Sequence, residues 1–253
     1  MAKNIIAVLN QKGGVGKTTS TINLAAYLAK AHSVLIVDLD PQGNTTSGLG
    51  VEKQALSSTL YDVMFSGAQL NKTILRIGKD NLFLLPSNAQ LANAEVDLVN
   101  TANREQKLKS IIASLEYDYI LIDCPPALGL LTINALTAAS DVLIPVQAEY
   151  YALEGLGQLL EVIQQVHMAL NPSLNLLGVV VTLYDSRTGL SAQVKAELEK
   201  HFGDKVFQTV IPRNVRLAEA PSYGKTIIEH DKWSKGARAY KSLAKEVEKR
   251  VYG

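Results

Sequence analysis

The sequence predicts an α/β fold, a twisted and mainly parallel sheet with helices on both faces. Two continuously apolar runs, residues 5–9 and 119–123, are typical of central strands that are buried on both sides. Residues 156–170 carry apolar side chains at helical spacing and are followed by a helix-ending Asn171-Pro172 pair. Strands that alternate with such helices form parallel sheets through right-handed crossovers.

The remaining elements follow from the same two periodicities. The other predicted strands, each a short apolar run, are residues 33–40, 82–86, 142–146, 176–183 and 206–211. A helix is expected soon after the first strand, since Ile22, Ala25 and Ala26 share one face at helical spacing. Further helical patterns cover residues 59–65, 89–99, 104–115, 127–139, 190–202 and 237–252. Residues 45–50 are polar and are predicted to form a loop.

Composition limits the classes of protein to consider. With 253 residues, of which 47% are hydrophobic, the chain can bury a large core, and we expect one domain spanning residues 1–253. The 25 basic and 24 acidic residues nearly cancel, although residues 225–250 hold 8 basic and 4 acidic side chains. The single cysteine, Cys124, excludes an internal disulfide framework. No apolar run approaches 18 residues, and we expect a cytoplasmic protein.

Residues 10–19, with the sequence Asn-Gln-Lys-Gly-Gly-Val-Gly-Lys-Thr-Thr, are predicted to bind phosphate. A glycine-rich turn between a strand and a helix points backbone N–H groups at an anion, and the helix dipole adds to the attraction. Lys17 is expected to reach the terminal phosphates, and the Thr18 hydroxyl to bind Mg²⁺. The residues of the predicted cradle are Gly13, Gly14, Val15, Gly16, Lys17, Thr18 and Thr19.

Three carboxylates are predicted at the ends of strands beside this turn. Asp38 and Asp40 are two residues apart on an extended segment, so their side chains point to one side before Pro41 ends the strand. Asp123 ends another strand, where a carboxylate can hold a magnesium-bound water. For Asp38 and Asp40 the alternative role is helix capping or turn formation.

The phosphate-binding stretch departs from the usual Walker A pattern, because Gln11 replaces its first glycine and Lys12 adds a second lysine. This sequence resembles the deviant Walker A motif of the ParA/MinD family of P-loop ATPases. The resemblance implies a P-loop NTPase-type sheet of seven or eight strands. It also implies that Lys12 reaches the nucleotide of a partner subunit, that Asp40 positions the attacking water, and that Asp38 belongs to the magnesium surroundings.

Two further stretches resemble the ParA/Soj branch of that family. Residues 212–222, Pro-Arg-Asn-Val-Arg-Leu-Ala-Glu-Ala-Pro-Ser, imply that Pro212 and Asn214 contact the adenine region and that Arg216, with Arg187, contacts DNA. A solvated surface position or a structural ion pair is the alternative for either arginine. Residues 149–155 resemble an interface segment, although internal packing of Tyr150 and Tyr151 is an equal alternative.

The resemblance implies a slow, magnesium-dependent ATPase switch for chromosome or plasmid partitioning. Its expected partners are a second copy of the chain in the presence of ATP, nonspecific double-stranded DNA at the nucleoid, and a ParB-type protein that stimulates hydrolysis. A replication initiator is a further candidate partner. Two alternatives stay open: a MinD-like membrane-associated positioning ATPase, and a nucleotide-sensing regulator of replication or transcription with little turnover. Residues 237–252 mix Lys and Glu on the polar face, which favours a docking helix over a membrane-surface helix.

Overall fold

A seven-stranded sheet forms the centre of the computed structural model, which describes residues 4–149 and 155–252. Its strands are β1 (Asn4–Val8), β2 (Val34–Asp38), β3 (Leu75–Ile77), β4 (Leu82–Leu85), β5 (Tyr119–Asp123), β6 (Asp141–Gln147) and β7 (Asn175–Thr182). They lie in the order β3-β4-β2-β5-β1-β6-β7. Every neighbouring pair in this sheet is parallel except β3 with β4.

Helices connect the strands and cover both faces of the sheet. The helices are α1 (Lys17–Leu28), α2 (Asn44–Gly48), α3 (Leu60–Phe65), α4 (Leu70–Thr73), α5 (Ala94–Val99), α6 (Lys107–Ile112), α7 (Leu130–Ala138), α8 (Leu156–Ala169), α9 (Gly189–Phe202), α10 (Val215–Glu219), α11 (Ile227–Asp231) and α12 (Lys235–Tyr252). Short 3₁₀ turns occupy Lys53–Ala55, Ala89–Asn93, Arg104–Gln106, Gly203–Lys205 and Ala220–Tyr223. Among the described residues, no helix has the length and apolarity that a bilayer crossing requires.

Alternation along the strands divides the core into two layers. Ile6 and Val8 of β1 pack with α1 and α12 on one face, while Ala7 points into the cluster that α5 to α8 cover on the other. Because both faces are buried, the central strands are apolar at every position instead of alternating with polar residues. The predicted α/β fold with a mainly parallel sheet is therefore confirmed, with seven strands.

Two predicted elements are wrong, and several short ones were not predicted. Residues 45–50 were expected to be a polar loop, yet α2 (Asn44–Gly48) covers most of them and buries Thr45 and Thr46. Residues 206–211 were expected to be a strand, but they form only an isolated bridge between Val179 and Val206. The sequence patterns also gave no indication of β3, α4, α10 or α11. The predicted interface tyrosines, Tyr150 and Tyr151, lie outside the described residues.

The C-terminal helix explains why residues 206–211 are not a regular strand. Phe207 N and Ile211 N donate to Val179 O (2.9 Å) and Val181 O (2.8 Å), so the segment does lie along β7. Between them, Gln208 N and Thr209 N donate to the Glu246 carboxylate of α12, each at 2.9 Å. A side chain therefore accepts the backbone N–H groups that a strand would use for pairing.

Arg250 fastens the same segment to the sheet. Its guanidinium donates to four backbone carbonyls, those of Leu177 (2.8 Å), Lys205 (3.0 Å), Asp204 (2.8 Å) and Val206 (2.9 Å). The group also stacks 3.9 Å from the centre of the Phe207 ring. A planar fork with five N–H donors can make this set of bonds, whereas a lysine ammonium cannot.

We predict that Arg250→Ala lowers the free energy of unfolding by about 2 to 3 kcal/mol, since charged hydrogen bonds to half-buried carbonyls are lost. Arg250→Lys is expected to recover less than half of that loss, because one ammonium cannot replace the fork. Urea unfolding followed by circular dichroism measures both. The exposed neighbour Lys249, changed to alanine, is the control and should shift stability by less than about 0.5 kcal/mol. Equal stability of the Arg250→Lys variant and the unmodified chain would contradict the assignment.

Candidate nucleotide site and basic cleft

The glycine-rich turn lies between β1 and α1, at the carboxyl edge of the parallel strands. Gly14 (φ 74°) and Gly16 (φ 87°) adopt the left-handed conformation that side chains disfavour. A β-carbon built on Gly13 or Gly14 would meet no atom within 4 Å, so this part of the turn faces open space. The turn therefore presents its backbone to a ligand directly before the first turn of a 12-residue helix.

Two polar side chains that the sequence reasoning missed hold the turn in place. Asn10 donates through Nδ2 to Pro145 O at 2.8 Å, and its Oδ1 accepts from Lys12 N at 3.0 Å. On the other side, Thr182 Oγ1 donates to Val15 O at 2.7 Å. β6 and β7 thus fix both flanks of the turn. The contacts to Pro145 and Val15 depend on tertiary structure, whereas the bond between Asn10 and Lys12 is local.

Asp38 and Asp123 lie opposite each other in the register of β2 and β5, and both side chains are fully buried. The Asp123 carboxylate accepts hydrogen bonds from Thr18 Oγ1 (2.8 Å) and Thr45 Oγ1 (2.7 Å). Asp38 accepts from Thr46 through both backbone N (2.8 Å) and Oγ1 (2.6 Å). The two threonines of α2 thus satisfy buried carboxylates, which is why residues 45–50 do not form a solvated loop.

Burial dominates the electrostatics of these acids. It raises the pKa of Asp38 to about 7, with a further contribution from the charge of Asp123. Burial also raises the pKa of Asp123 to about 6, although hydrogen bonds from Thr45 and Thr18 oppose the shift. Burial thus disfavours the ionised form of both acids, and a cation at this edge would stabilise that form.

Lys17 and Asp40 lie at the same carboxyl edge of the sheet as the two buried acids. Lys17 is only 8% exposed, and its Nζ donates to Lys12 O at 3.3 Å. Burial lowers the pKa of Lys17, while the nearby carboxylates of Asp123 and Asp40 oppose that shift. Asp40 lies beyond the end of β2, where its Oδ1 accepts from Gln42 N at 2.9 Å.

One cleft of about 600 Å³ brings most of the predicted nucleotide residues together. We call it the phosphate cleft, after its predicted ligand. From the predicted set it is lined by Gly13, Gly14, Gly16, Lys17, Thr18, Thr19 and Asp40. Val15 instead buries its side chain beneath the turn. The far wall is formed by Pro221, Ser222 and Lys225.

The chemistry of this edge fits Mg²⁺ held together with phosphates. The available donors are the Thr18 hydroxyl and the Asp123 and Asp40 carboxylates, all of them the oxygen ligands that Mg²⁺ prefers. Within residues 4–149 and 155–252, no group of three or more His, Cys, Asp or Glu side chains could hold a metal by itself. Such a sparse protein contribution is typical of magnesium that also binds substrate phosphates and water.

The Lys12 side chain pairs with a residue outside the cleft lining. Its Nζ is 3.1 Å from Glu149 Oε2, and the two side chains are 43% and 44% exposed. Exposed pairs of this kind contribute about 0 to 1 kcal/mol, so the contact is easily exchanged for another. Lys12 is not among the residues that line the cleft of its own chain.

A second cleft, of about 850 Å³, contains the predicted adenine and DNA residues together. Pro212 and Asn214 line it beside Arg187 and Arg216, and none of these four lines the phosphate cleft. Asn214 also caps α10, accepting from Leu217 N at 3.2 Å. Three further basic residues, which the sequence reasoning missed, line the same wall: Arg213, Lys235 and Arg238. We call this group the basic cleft.

The two predicted arginines of the basic cleft are paired but accessible. Arg187 is 85% exposed, makes two bonds with Asp185 (2.9 and 2.7 Å) and holds the pKa of that carboxyl well below its usual range. Arg216 is 57% exposed and contacts Glu219 at 2.9 Å and Asp231 at 3.7 Å. Each arginine is therefore both solvent-exposed and ion-paired, the two alternatives to a DNA contact that the sequence left open.

Comparison with known proteins places this architecture in a family. Residues 3–176 match the model of the AAA domain family. The sporulation initiation inhibitor protein Soj of Bacillus subtilis is 55% identical over 246 residues, which cover 96% of this chain and 97% of Soj. The chromosome-partitioning ATPase Soj of Thermus thermophilus is 53% identical, with 97% of this chain and 96% of that protein covered.

Two solved structures have a similar fold over nearly the full chain. Cobyrinic acid a,c-diamide synthase from Mycobacterium smegmatis, with bound ADP and magnesium, has a TM-score of 0.85 at 40% identity, covering 97% of this chain and 93% of that one. A Cyanothece McdA–ATP complex has a TM-score of 0.87 at 25% identity, covering 99% and 97%. With half or more of its residues shared with Soj proteins over nearly the full length, the chain belongs to the Soj/ParA family of chromosome-partitioning ATPases.

Proposed function

We propose that this chain is an ATP-hydrolysing switch that partitions chromosomes or plasmids. The observation that carries the proposal is the single cleft in which the glycine-rich turn, Lys17, Thr18, Asp40 and the neighbouring Asp123 meet. Similar structures with bound ADP or an ATP analogue and magnesium support ATP and Mg²⁺ as its ligands. The Soj relatives are more similar in sequence than the diamide synthase, which favours partitioning over small-molecule chemistry.

Each residue of the cleft has a role in this proposal. Backbone N–H groups from Gly13 to Thr19 hold the phosphates, and Lys17 neutralises their charge. Thr18, Asp123 and Asp40 are the residues that would hold Mg²⁺. When bound, Mg²⁺ would offset the charge that spreads over the transferred phosphoryl group. Asp40, which lines the cleft, is proposed to orient the attacking water.

The proposed dimer rests on the position of the Lys12 side chain. Among the described residues, this side chain pairs with the exposed Glu149 and does not line the cleft of its own chain, so we expect it to be available to bind phosphates in a second copy. We expect ATP to be buried between two chains and each active site to be completed by the partner's Lys12. Pro212 and Asn214 are proposed to approach the adenine region in that state.

The basic cleft would then bind DNA nonspecifically through its phosphates. Five cationic side chains line it, against the single carboxylate of Asp185 among the lining residues. A dimer brings two such clefts together, so the second contact becomes intramolecular and the affinity rises. A ParB-type partner would stimulate the slow hydrolysis and release the dimer, which we expect to act in the cytoplasm at the nucleoid. A replication initiator is a further proposed partner.

The membrane alternative has less support. The apolar side chains of α12, including Tyr240, Leu243 and Val247, are buried against the core and cannot enter a bilayer while the helix is docked. The alternative of a regulator with little turnover predicts the same nucleotide site. ATP turnover measured with and without DNA and a ParB-type protein separates it from the switch.

Asp40→Asn is expected to lower ATP turnover by about 10² to 10⁴-fold while leaving ATP binding intact, because the water loses its orienting carboxylate. Phosphate release and binding of a fluorescent ATP analogue measure the two effects. The exposed Asp80, which pairs with Lys30, provides the matched control Asp80→Asn. Unchanged turnover of the Asp40 variant would remove Asp40 from the mechanism.

Lys12→Ala is expected to bind ATP as a monomer, since the cross-subunit contact to phosphate is missing. Light scattering after gel filtration with ATP, ADP or no nucleotide reads the outcome. Lys30→Ala is a close control, because Lys30 is 49% exposed and paired with Asp80 much as Lys12 is with Glu149. Full ATP-driven dimerisation of the Lys12 variant would mean that this lysine has no role across the interface.

Arg216→Glu is expected to abolish ATP-dependent retention on nonspecific duplex DNA without affecting ATP binding. For the milder Arg216→Ala, the slope of log affinity against log salt should fall by about 1, as for the loss of one phosphate contact. Arg104→Glu is the control, because Arg104 is also exposed and paired with a carboxylate but lies beside α6, outside the basic cleft. Normal DNA retention by Arg216→Glu would refute the assignment of this surface.

A further inference from the structure

Trp233 is the only tryptophan of the chain and is almost fully in water. Its side chain, in the turn between α11 and α12, is 78% exposed, more than any other large apolar side chain among the described residues. An indole ring removes about 150 to 250 Å² of surface from water when it is buried, and much of that surface is apolar. A ring left in water thus keeps a substantial free energy available for binding a partner.

The surroundings of Trp233 connect it to the basic cleft. Its backbone N donates to Asp231 Oδ1 at 3.1 Å, and the other oxygen of that carboxylate is 3.7 Å from Arg216 Nε. Lys232 Nζ lies 5.1 Å from the centre of the indole ring. Two residues further along, Lys235 lines the basic cleft itself.

An isolated exposed apolar residue requires no explanation, since many occur on protein surfaces. Here the basic cleft itself carries a second one, since Val215 is 70% exposed and lines that cleft next to Arg216. Because the basic cleft is cationic, we expect its ligand to be a polyanion. Among polyanions, nucleic acid also offers apolar sugar and base surfaces to an aromatic ring.

We infer that Trp233 is a DNA-contacting residue that packs its ring against sugar and base surfaces while the basic cleft binds the phosphates. The inference deepens the proposed DNA binding and rests on it. Lys232 accompanies the ring as a cation and reaches the backbone beside it. The surface thus combines an electrostatic contact with an apolar one, and the two respond differently to salt.

The difference in salt dependence makes the inference testable. A phosphate contact releases counterions, so its loss changes the slope of log affinity against log salt. An aromatic contact releases none, so Trp233→Ala should weaken binding equally at every salt concentration. We expect a loss of about five- to tenfold with an unchanged slope, as for an apolar contact that removes part of the indole surface from water. Trp233→Phe should recover most of the affinity.

Retention on a nonspecific duplex with ATP, at several salt concentrations, measures these variants. Met168→Ala is the matched control, because Met168 is 66% exposed but lies on α8, away from the basic cleft. ATP binding and ATP-driven dimerisation of Trp233→Ala, followed by light scattering, should equal those of the unmodified chain. A loss of dimerisation would overturn the inference, because the ring would then belong to an interface between copies.

Fluorescence provides a second, independent measurement, since Trp233 accounts for all tryptophan emission. Acrylamide, which is uncharged and unaffected by the basic cleft, should quench the free protein strongly. With ATP and duplex DNA, the quenching constant is expected to fall toward that of a buried ring, and with ADP and DNA it should not change.

Failure of the inference and failure of the proposed function give different results. If the unmodified chain is retained on DNA and Arg216→Glu is not, while Trp233→Ala binds normally and acrylamide quenching is unchanged, the inference alone is wrong. If the unmodified chain does not bind DNA with ATP, the proposed function fails and the inference fails with it.

Discussion

The burial of Asp38 and Asp123 side by side at the carboxyl edge of the sheet is the constraint on which the rest of the structure depends. Parallel pairing of β2 with β5 places these carboxylates opposite each other, and neither has access to solvent. Buried carboxylates must be hydrogen-bonded, and ionised ones also need a nearby cation. Hydroxyls from α1 and α2 supply the bonds, and Lys17 supplies part of the charge. The site is thus prepared for a divalent cation and phosphate.

The same constraint links the nucleotide site to the basic cleft. Thr45 and Thr46 fix α2 to the buried acids, and the segment that follows α2 packs on residues 220–224. There Gly50 and Gly224 approach so closely that a β-carbon on Gly224 would lie 2.5 Å from the Cα of Gly50. Residues 220–222 line the phosphate cleft, while α10, directly before them, carries Arg216 into the basic cleft. Packed backbone therefore joins the acids to the basic surface without a flexible linker.

Local patterns in the sequence were sufficient for the central sheet and the phosphate-binding turn, because apolar runs and glycine spacing are local properties. They failed where a tertiary contact decides the structure. Residues 45–50 form α2 because of buried carboxylates on other strands, and residues 206–211 lose strand pairing to Glu246 of a distant helix. The basic cleft was only half predicted, since Arg213 is about 20 residues from Lys235 in the chain and the fold brings them together.

The position of Lys12 gives a physical reason for a second subunit. Phosphates in the cleft would approach Asp40 and the buried acids, and within one chain the lining offers only Lys17 and Lys225 as cations. Lys12, the residue that departs from the usual motif, instead contacts the exposed Glu149, at little cost to release. A lysine that only cradled phosphate in its own chain would be expected in the lining. The position of Lys12 thus supports the proposal that dimerisation couples nucleotide binding to DNA binding, since two weakly binding basic clefts would gain affinity when joined.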